Sequence, residues 1–494
     1  MESIVTKHSS DRRALPLTGD DACARRATRV RKSGQILKLI LFAGLLLLGW
    51  SALFAYTYRS PFHFDDYHFI RHYSWDELIS TFHGWNDPDK IETPALRPGA
   101  TLLFAFQGSI FGENIVLQRI FMTFLMWILL AVLGLLLLEV GCGIFQIGLV
   151  FVLFVTSRIF ASLNLWLTLG SLTLCYIFIL LTCYFFLLWV REGRKPLLIL
   201  MLVCAIVAVS IREEAYVLPI VLPLAWFVSS AWRTDRGRVL IAAVGVFAIA
   251  AVHFLLRRAF VPEAPSPQFT IRAAKALLVA IIASWFPGGY TTEGMTDGVL
   301  ANIWIAFLIG IVLVFMRVAR SGSQRQFIGA CCMGCVLALP AIAIPRSFGI
   351  ALPTLAFMIA IAIAVCEIYH QLQPAIMTSK TFRFCFVTCV TVGLVVGITG
   401  GIRRSIYVAE YFHENCALRV ERDGTFIFNL FKRHATVPDE RKEAGRARLA
   451  AVGIYNADDV WSLHKDITEC PGDYRQRRES REALFLPKYD YLSF

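Results

Sequence analysis

Apolar stretches of about 20 residues recur along this chain, and they set what it can fold into. Each is long enough to cross a hydrocarbon core of ~30 Å as a helix. They read as spans over 36–58, 115–139, 144–162, 165–190, 197–211, 215–231 and 238–256, and then over 299–316, 326–344, 349–370 and 383–401. The runs are continuously apolar rather than alternating, which excludes a transmembrane β-barrel. Of the 494 residues 57% are hydrophobic and 17% charged, where a soluble domain carries about 25% charged residues. A soluble globular core is excluded on that balance. The expected fold class is an all-α polytopic integral membrane protein, a bundle of about eleven helices with a structured first outer loop.

The net charge of +12 has a topological use. Residues 1–35 form a basic tail (Arg25, Arg26, Arg29, Arg31 and Lys32) ahead of the first run, which reads as an uncleaved helix with a cytoplasmic N-terminus. Arg191, Arg194 and Lys195, then Arg233, Arg236 and Arg238, then Arg317, Arg320 and Arg325 fall in loops on that same side. This is the positive-inside pattern. No basic-aromatic module accompanies the charge, so nucleic acid is excluded as a partner. Residues 272–287 are apolar but short, open with Arg272 and Lys275, and run into Pro287-Gly288-Gly289. Were they to span, the Arg317–Arg325 loop would flip outside, so they are placed as an interfacial or re-entrant helix on the outer side.

The domain reading is then 1–35 cytoplasmic tail, 36–401 transmembrane domain and 402–494 extracytoplasmic soluble tail, in a plasma membrane of bacterial type. No internal repeat is visible, which weakens an inverted-repeat transporter reading. Most of the thirteen cysteines lie inside apolar runs, where they act as small hydrophobes. Cys331, Cys332 and Cys335 lack the βαβ context of a redox motif. Cys416 and Cys470 sit in the polar tail, where an extracytoplasmic location permits a disulfide.

The first outer loop, about 57–114, opens Pro61-Phe62-His63-Phe64-Asp65-Asp66-Tyr67-His68. Ser74-Trp75-Asp76-Glu77 has the pattern of a capping box. Behind it Trp75, Leu78, Ile79 and Phe82 share one apolar helical face suited to the membrane surface. Arg97-Pro98-Gly99 and a second apolar stretch lead to Arg119 at the mouth of the second span. Glycosyl transfer from a lipid phosphate needs a base for the acceptor proton and cationic help for the departing phosphate. Adjacent side chains diverge on a helix or strand, so Asp65 and Asp66 take different roles. Asp65 is the expected base, with Asp66 orienting acceptor or metal. The plainer alternative is that both are solvated loop charges. His68 and His72 have a spacing able to share a metal. A protein-held zinc, a divalent cation held between aspartate and donor phosphate, or no metal at all stay open.

Further charges lie on the same predicted side. Ser210-Ile211-Arg212-Glu213-Glu214-Ala215 interrupts two apolar runs, as a paired turn or as the wall of a polar cavity. Ile344-Pro345-Arg346-Ser347-Phe348 forms a turn in which Arg346 can bind a phosphate bidentately or anchor the interface. Arg257 and Arg258 sit outside, against the charge trend, and take no sharper role.

These passages together resemble the GT-C superfamily of polyprenyl-phosphate-sugar-dependent glycosyltransferases, of the dolichyl-phosphate-mannose-protein mannosyltransferase kind. The likeness rests on Phe64-Asp65-Asp66 after the first span, and on Arg97-Pro98 followed by Phe111-Gly112-Glu113-Asn114 and Arg119. It rests also on the Ser210–Ala215 turn leading to Pro219, and on Arg346 through Pro353. It covers roughly 36–401 and leaves the tail out. The passage Thr156-Ser157-Arg158-Ile159 departs from relatives, which often carry His-Pro or an acid there. The resemblance implies an inverting transferase with an extracytoplasmic site. Asp65 would match the catalytic acid, Arg346 and Arg97 donor-phosphate contacts, and Arg212-Glu213 the basic-acidic turn. The implied partners are a polyprenyl-phosphate-linked sugar, the bilayer, and a glycan, lipid or protein acceptor. The alternatives are a transporter or flippase of a lipid-linked or polymer precursor, and a non-catalytic assembly protein docking through its tail.

Overall fold

The computed structural model describes residues 19–59, 66–88, 95–112, 114–229, 235–262, 295–343 and 351–414. Among these there is no strand, and the chain is an all-α multi-pass membrane protein. Five helices are long and apolar enough to cross a bilayer: 34–53, Ile115–Val140, Leu167–Glu192, Arg236–Phe260 and Ala351–Gln373. Ile144–Val155 with Ile159–Leu165 makes a sixth if the bent pair is one span, and Lys195–Ile211, Ala306–Val318 and Val387–Thr399 are shorter apolar helices.

In chain order the helices are α1 (Gly19–Leu53), α2 (Asp66–Phe69), α3 (Trp75–Ser80), α4 (Pro98–Phe111), α5 (Ile115–Val140), α6 (Ile144–Val155), α7 (Arg158–Leu165) and α8 (Gly170–Glu192). There follow α9 (Lys195–Ile211), α10 (Leu218–Val228), α11 (Arg236–Phe260), α12 (Met295–Val318), α13 (Ser321–Ala343), α14 (Ala351–Thr378) and α15 (Lys380–Glu414). Burial sorts them. The apolar windows of α8 and α14 are 67% and 78% buried, while those of α1 and α11 are each 22% buried. So α8 and α14 are interior, and α1 and α11 present Leu41, Leu45, Leu48, Val244, Phe247 and Leu255 outward. Outward apolar faces of this kind suit lipid. Phe151, Phe154, Phe160, Tyr176 and Phe186 fill the centre with almost no exposure.

The bundle has two distinguishable ends. At one, Arg191 pairs with Glu139, Arg238 donates to the Val190 carbonyl at 3.1 Å, and Arg325 donates to the Ser229 carbonyl at 3.3 Å. This basic end collects the finish of α5, α8 and α10 and the start of α9, α11 and α13. The other end collects α2–α4, the start of α5 and α8, and the finish of α7, α9 and α11. Gly329, near the start of α13, abuts Phe227 and Val228, so α13 runs antiparallel to α10 and finishes at this loop end. The flanks of 263–294, the finish of α11 and the start of α12, also share it. The expected interfacial helix 272–287 itself lies outside the described residues.

Several boundaries differ from the sequence expectation, and the first helix already begins at Gly19, inside the expected tail 1–35. The run 144–162 is not one helix: α6 and α7 meet at a 65° bend. Thr156 Oγ1 donates to the Val152 carbonyl at 2.8 Å, Ser157 Oγ donates to the Phe154 carbonyl at 2.6 Å, and Ser157 Oγ accepts the Phe160 N–H at 3.3 Å. Hydroxyls that bond the preceding turn and cap the next are a known cause of such breaks. The first helix stops at Leu53 rather than 58 and gives way to a 3-10 turn, Ala55–Arg59. The last helix does not stop at 401 but continues to Glu414, into the expected tail. Gly401 there is a point of close approach and not a terminator. A Cβ on it would lie 2.5 Å from the Thr156 carbonyl oxygen, and Ser405 Oγ donates to the Thr156 and Ser157 carbonyls, each at 3.1 Å. The last helix is thereby tied to the backbone of the bend.

Residues 66–88 are fastened to the bundle through α4. The Ser74–Glu77 capping box forms as expected, Ser74 N–H donating to Glu77 Oε2 at 2.7 Å and Glu77 N–H to Ser74 Oγ at 3.2 Å. Arg71 Nη1 also donates to Glu77 at 2.7 Å. Burial opposes ionisation of Glu77, yet the Ser74 N–H and Arg71 outweigh it and hold the carboxyl below its usual range. Trp75, Ile79 and Phe82 point outward, as the amphipathic pattern requires. Gly108 of α4 lets the backbone at Arg71 pass, since a Cβ would sit 2.2 Å from that carbonyl oxygen. Gly108→Ala is therefore expected to cost about 2 kcal/mol through forced displacement of backbone. Faster proteolysis of the first loop in the variant would register it, and an unchanged cleavage rate would contradict the contact.

Candidate functional site

The loop end gathers most of the charged residues singled out in the sequence. Asp66 opens α2 and is fully buried; its Oδ1 accepts the N–H of Thr168 at 2.9 Å. Thr168 belongs to the 3-10 turn Leu167–Leu169 that starts α8, where N–H groups lack helical partners. An acid there satisfies one donor and suits the positive end of the helix dipole. Ser171 Oγ donates to the Thr168 carbonyl at 2.9 Å and accepts from Arg212 Nη1 at 3.4 Å. Arg212 Nε donates in turn to Glu214 Oε2 at 3.2 Å. One polar chain thus runs from Asp66 in the first loop, along the start of α8, to the turn after α9.

That turn is built by its sequence. Helix α9 ends at Ile211, Arg212 is extended, Glu213–Val217 forms a 3-10 turn, and Leu218-Pro219 starts α10. Pro219 lacks an N–H, which costs nothing in a first helical turn. The extended Arg212 sends its side chain and that of Glu213 to different partners. Glu213 faces Arg97, whose Nε donates to Oε2 at 2.8 Å and whose Nη2 lies 2.6 Å from the same oxygen. Arg257 Nε stands 3.6 Å from the other oxygen, Oε1. Burial opposes the charge on Glu213, but Arg97 and then Arg257 outweigh it and bring the carboxyl down to about 2. Two guanidiniums, those of Arg97 and Arg257, thus converge on one carboxylate.

Neighbouring side chains stiffen this region. Gln118 Nε2 donates to the carbonyls of Gln107 at 3.1 Å and Gly112 at 3.0 Å, locking α4 to α5. Arg119 is buried in the first turn of α5. The Tyr216 hydroxyl and His253 Nδ1 are 2.7 Å apart, beside the Glu213 turn.

Of the sequence-derived candidates, Asp66, Arg97, Arg212 and Glu213 are brought to one end of the bundle. Arg212 pairs with Glu214, while Glu213 pairs with Arg97 and Arg257. Arg257 stands out in the sequence only as an outer cation against the charge trend, able to attract anionic headgroups or acceptor; the structure buries it against Glu213. Asp65 and Arg346 lie outside the described residues. The helices flanking Arg346, α13 up to Ala343 and α14 from Ala351, finish and start at the loop end.

The expected metal ligands divide. His72 Nδ1 lies 3.4 Å from Ser109 Oγ, directed at α4. His63 is outside the described residues. Among the described residues no three His, Cys, Asp or Glu side chains are grouped to hold a metal ion. Cys331, Cys332 and Cys335 are free thiols; Cys416 and Cys470 lie outside the described residues.

Chemically, the cluster offers buried guanidiniums at a bundle end, beside the first outer loop. Such a set can receive a phosphate whose hydrocarbon tail stays in lipid. No protein-family model matches this chain, and no curated protein matches it significantly.

Proposed function

We propose that this protein transfers a sugar from a polyprenyl-phosphate donor to an acceptor at the loop end of a GT-C-like bundle. The observation that carries the reading is the convergence of Asp66, Arg97, Arg212, Glu213 and Arg257 on one bundle end, three guanidiniums among them. Supporting it, consecutive long helices alternate in direction between the two ends, as about eleven crossings would require. The basic end then faces the cytoplasm and the loop end the extracytoplasmic side.

In this reading Asp66 is a positioning residue. Its carboxylate holds Thr168 and so fixes the loop against α8. Asp65, its neighbour, is the base. It takes the proton of an acceptor hydroxyl as that oxygen attacks the anomeric carbon of the donor. The carbon–oxygen bond to phosphate breaks with inversion, and polyprenyl phosphate leaves with the electron pair. Arg346 and the field of the Arg97 guanidinium stabilise the departing phosphate. Arg97 supplies a field and not a free hand, since its guanidinium is held by Glu213.

Incubating the purified protein with a panel of polyprenyl-phosphate sugars tests this. Release of free polyprenyl phosphate from one donor is the expected outcome. Movement of an intact donor across proteoliposomes without bond cleavage would replace transfer by transport. Arg346→Ala is expected to raise the apparent KM for the donor more than it lowers kcat, read from initial rates. Unchanged donor dependence would remove Arg346 from the phosphate site.

A further inference from the structure

At the basic end, away from the candidate site, α10 and α11 flank an open groove of about 410 Å³. One wall is Pro223, Trp226 and Phe227 of α10, at helical spacings i, i+3 and i+4. The other is Arg236, Val239, Leu240 and Ala243 of α11, at i, i+3, i+4 and i+7. Two stripes on antiparallel helices therefore face one another, apolar except for a guanidinium at one end. The size is that of a small-molecule pocket and not of a packing defect.

The local sequence explains the opening. Helix α10 has 11 residues and an internal Pro223, while α11 has 25. At ~1.5 Å per residue α10 is about 16 Å long, too short to cover its partner. Ala243 adds little side chain where α10 could have been filled out.

Arg236 differs from its basic neighbours. Arg238 pairs with Asp235 at 3.2 Å and bonds the Val190 carbonyl, Arg325 bonds Ser229, and Arg191 pairs with Glu139. Asp235 is further occupied in capping α11, its Oδ1 accepting the N–H groups of Gly237 at 2.9 Å and Arg238 at 3.3 Å. Arg236 is exposed and has no ion pair among the described residues. Its charge is left for a partner from beyond the described residues.

We propose that this groove binds an anionic phospholipid, one acyl chain lying between the two stripes and the headgroup phosphate on Arg236. An aromatic and aliphatic channel accepts hydrocarbon. A guanidinium at the channel's end accepts a phosphate, bidentately where geometry permits. The cationic rim of the same end favours an anionic headgroup over a zwitterionic one. This does not depend on the transferase reading, because the groove is at the opposite end.

The test is native mass spectrometry of the full chain from mixed micelles of phosphatidylglycerol and phosphatidylcholine. The wild type is expected to retain phosphatidylglycerol preferentially. Arg236→Gln is expected to lower that preference about fivefold. Ala243→Trp, which fills the channel, is expected to remove one retained lipid. Arg317→Gln, at the same end but outside the groove, is expected to change neither. The proposal is overturned if both groove variants keep the wild-type count and preference. It is equally overturned if Arg317→Gln weakens retention as much as Arg236→Gln, which would mean diffuse attraction. Should Ala243→Trp fail to fold, Ala243→Leu with Arg236→Gln decides the matter.

Discussion

Replacing Asp65 by asparagine is expected to lower sugar transfer by about 10²–10⁴-fold, the usual contribution of a general base. Asparagine keeps the size and hydrogen-bonding reach of the side chain but cannot accept the acceptor's proton. Expression, elution profile and thermal midpoint of the variant are expected to match the wild type. Asp66→Ala predicts a different division. The Asp66 carboxylate accepts the buried Thr168 N–H, so removing that acceptor loosens the loop against α8 and reduces stability along with activity. Measuring kcat and the thermal midpoint for both variants separates base from brace. Wild-type turnover in Asp65→Asn would take Asp65 out of the chemistry.

Glu213→Gln is the second large effect. Glu213 is buried between Arg97 and Arg257, and a neutral amide removes the carboxylate that both guanidiniums share. Breaking a buried ion pair in this way costs about 3–5 kcal/mol. That is a large share of the stability of an ordinary domain. A marked fall in the thermal midpoint in detergent is the expected reading. Arg97→Met in the same chain should recover part of it, since removing a cation is cheaper than stranding one. The acid limb carries the same information. The carboxyl is held at about 2 against an ordinary 4.5, so its stabilisation is complete above pH 4.5 and is lost as pH falls toward 2. Wild type should lose that component over this window, and Glu213→Gln should show no such component. Coincident acid-unfolding curves for the two proteins would contradict the clamp.

What the sequence made legible was local. Apolar length marked the helices, because a bilayer demands it. The Ser74–Glu77 capping box could be written down in advance because all its atoms belong to four consecutive residues. The bend between α6 and α7 could not. It arises from two hydroxyls, at Thr156 and Ser157, inside a run that hydropathy alone reads as continuous. Nor could the course of α15, since Gly400-Gly401 looks like a stop and serves instead as a close approach to the bend.

Pairing at the site was still less visible. Arg97 and Glu213 lie 116 residues apart and meet only because α4 and the turn after α9 share one bundle end. Sequence placed both on one side of the membrane but offered Arg212 either Glu213 or Glu214 as a partner in a paired turn. The fold gives Arg212 to Glu214 and Glu213 to Arg97 and Arg257. Likewise the adjacency of Asp65 and Asp66 suggested divided labour, and burial supplied the direction for Asp66.

The central claim is that Asp65 and Arg346 act on one face of the bundle, opposite the face that carries Arg194. Single cysteines at positions 65, 346 and 194, in a background freed of native cysteine, can be probed with a membrane-impermeant maleimide in sealed vesicles of known orientation. The account predicts that 65 and 346 react from the same side and 194 from the other. Labelling of 65 and 346 from opposite sides would contradict it.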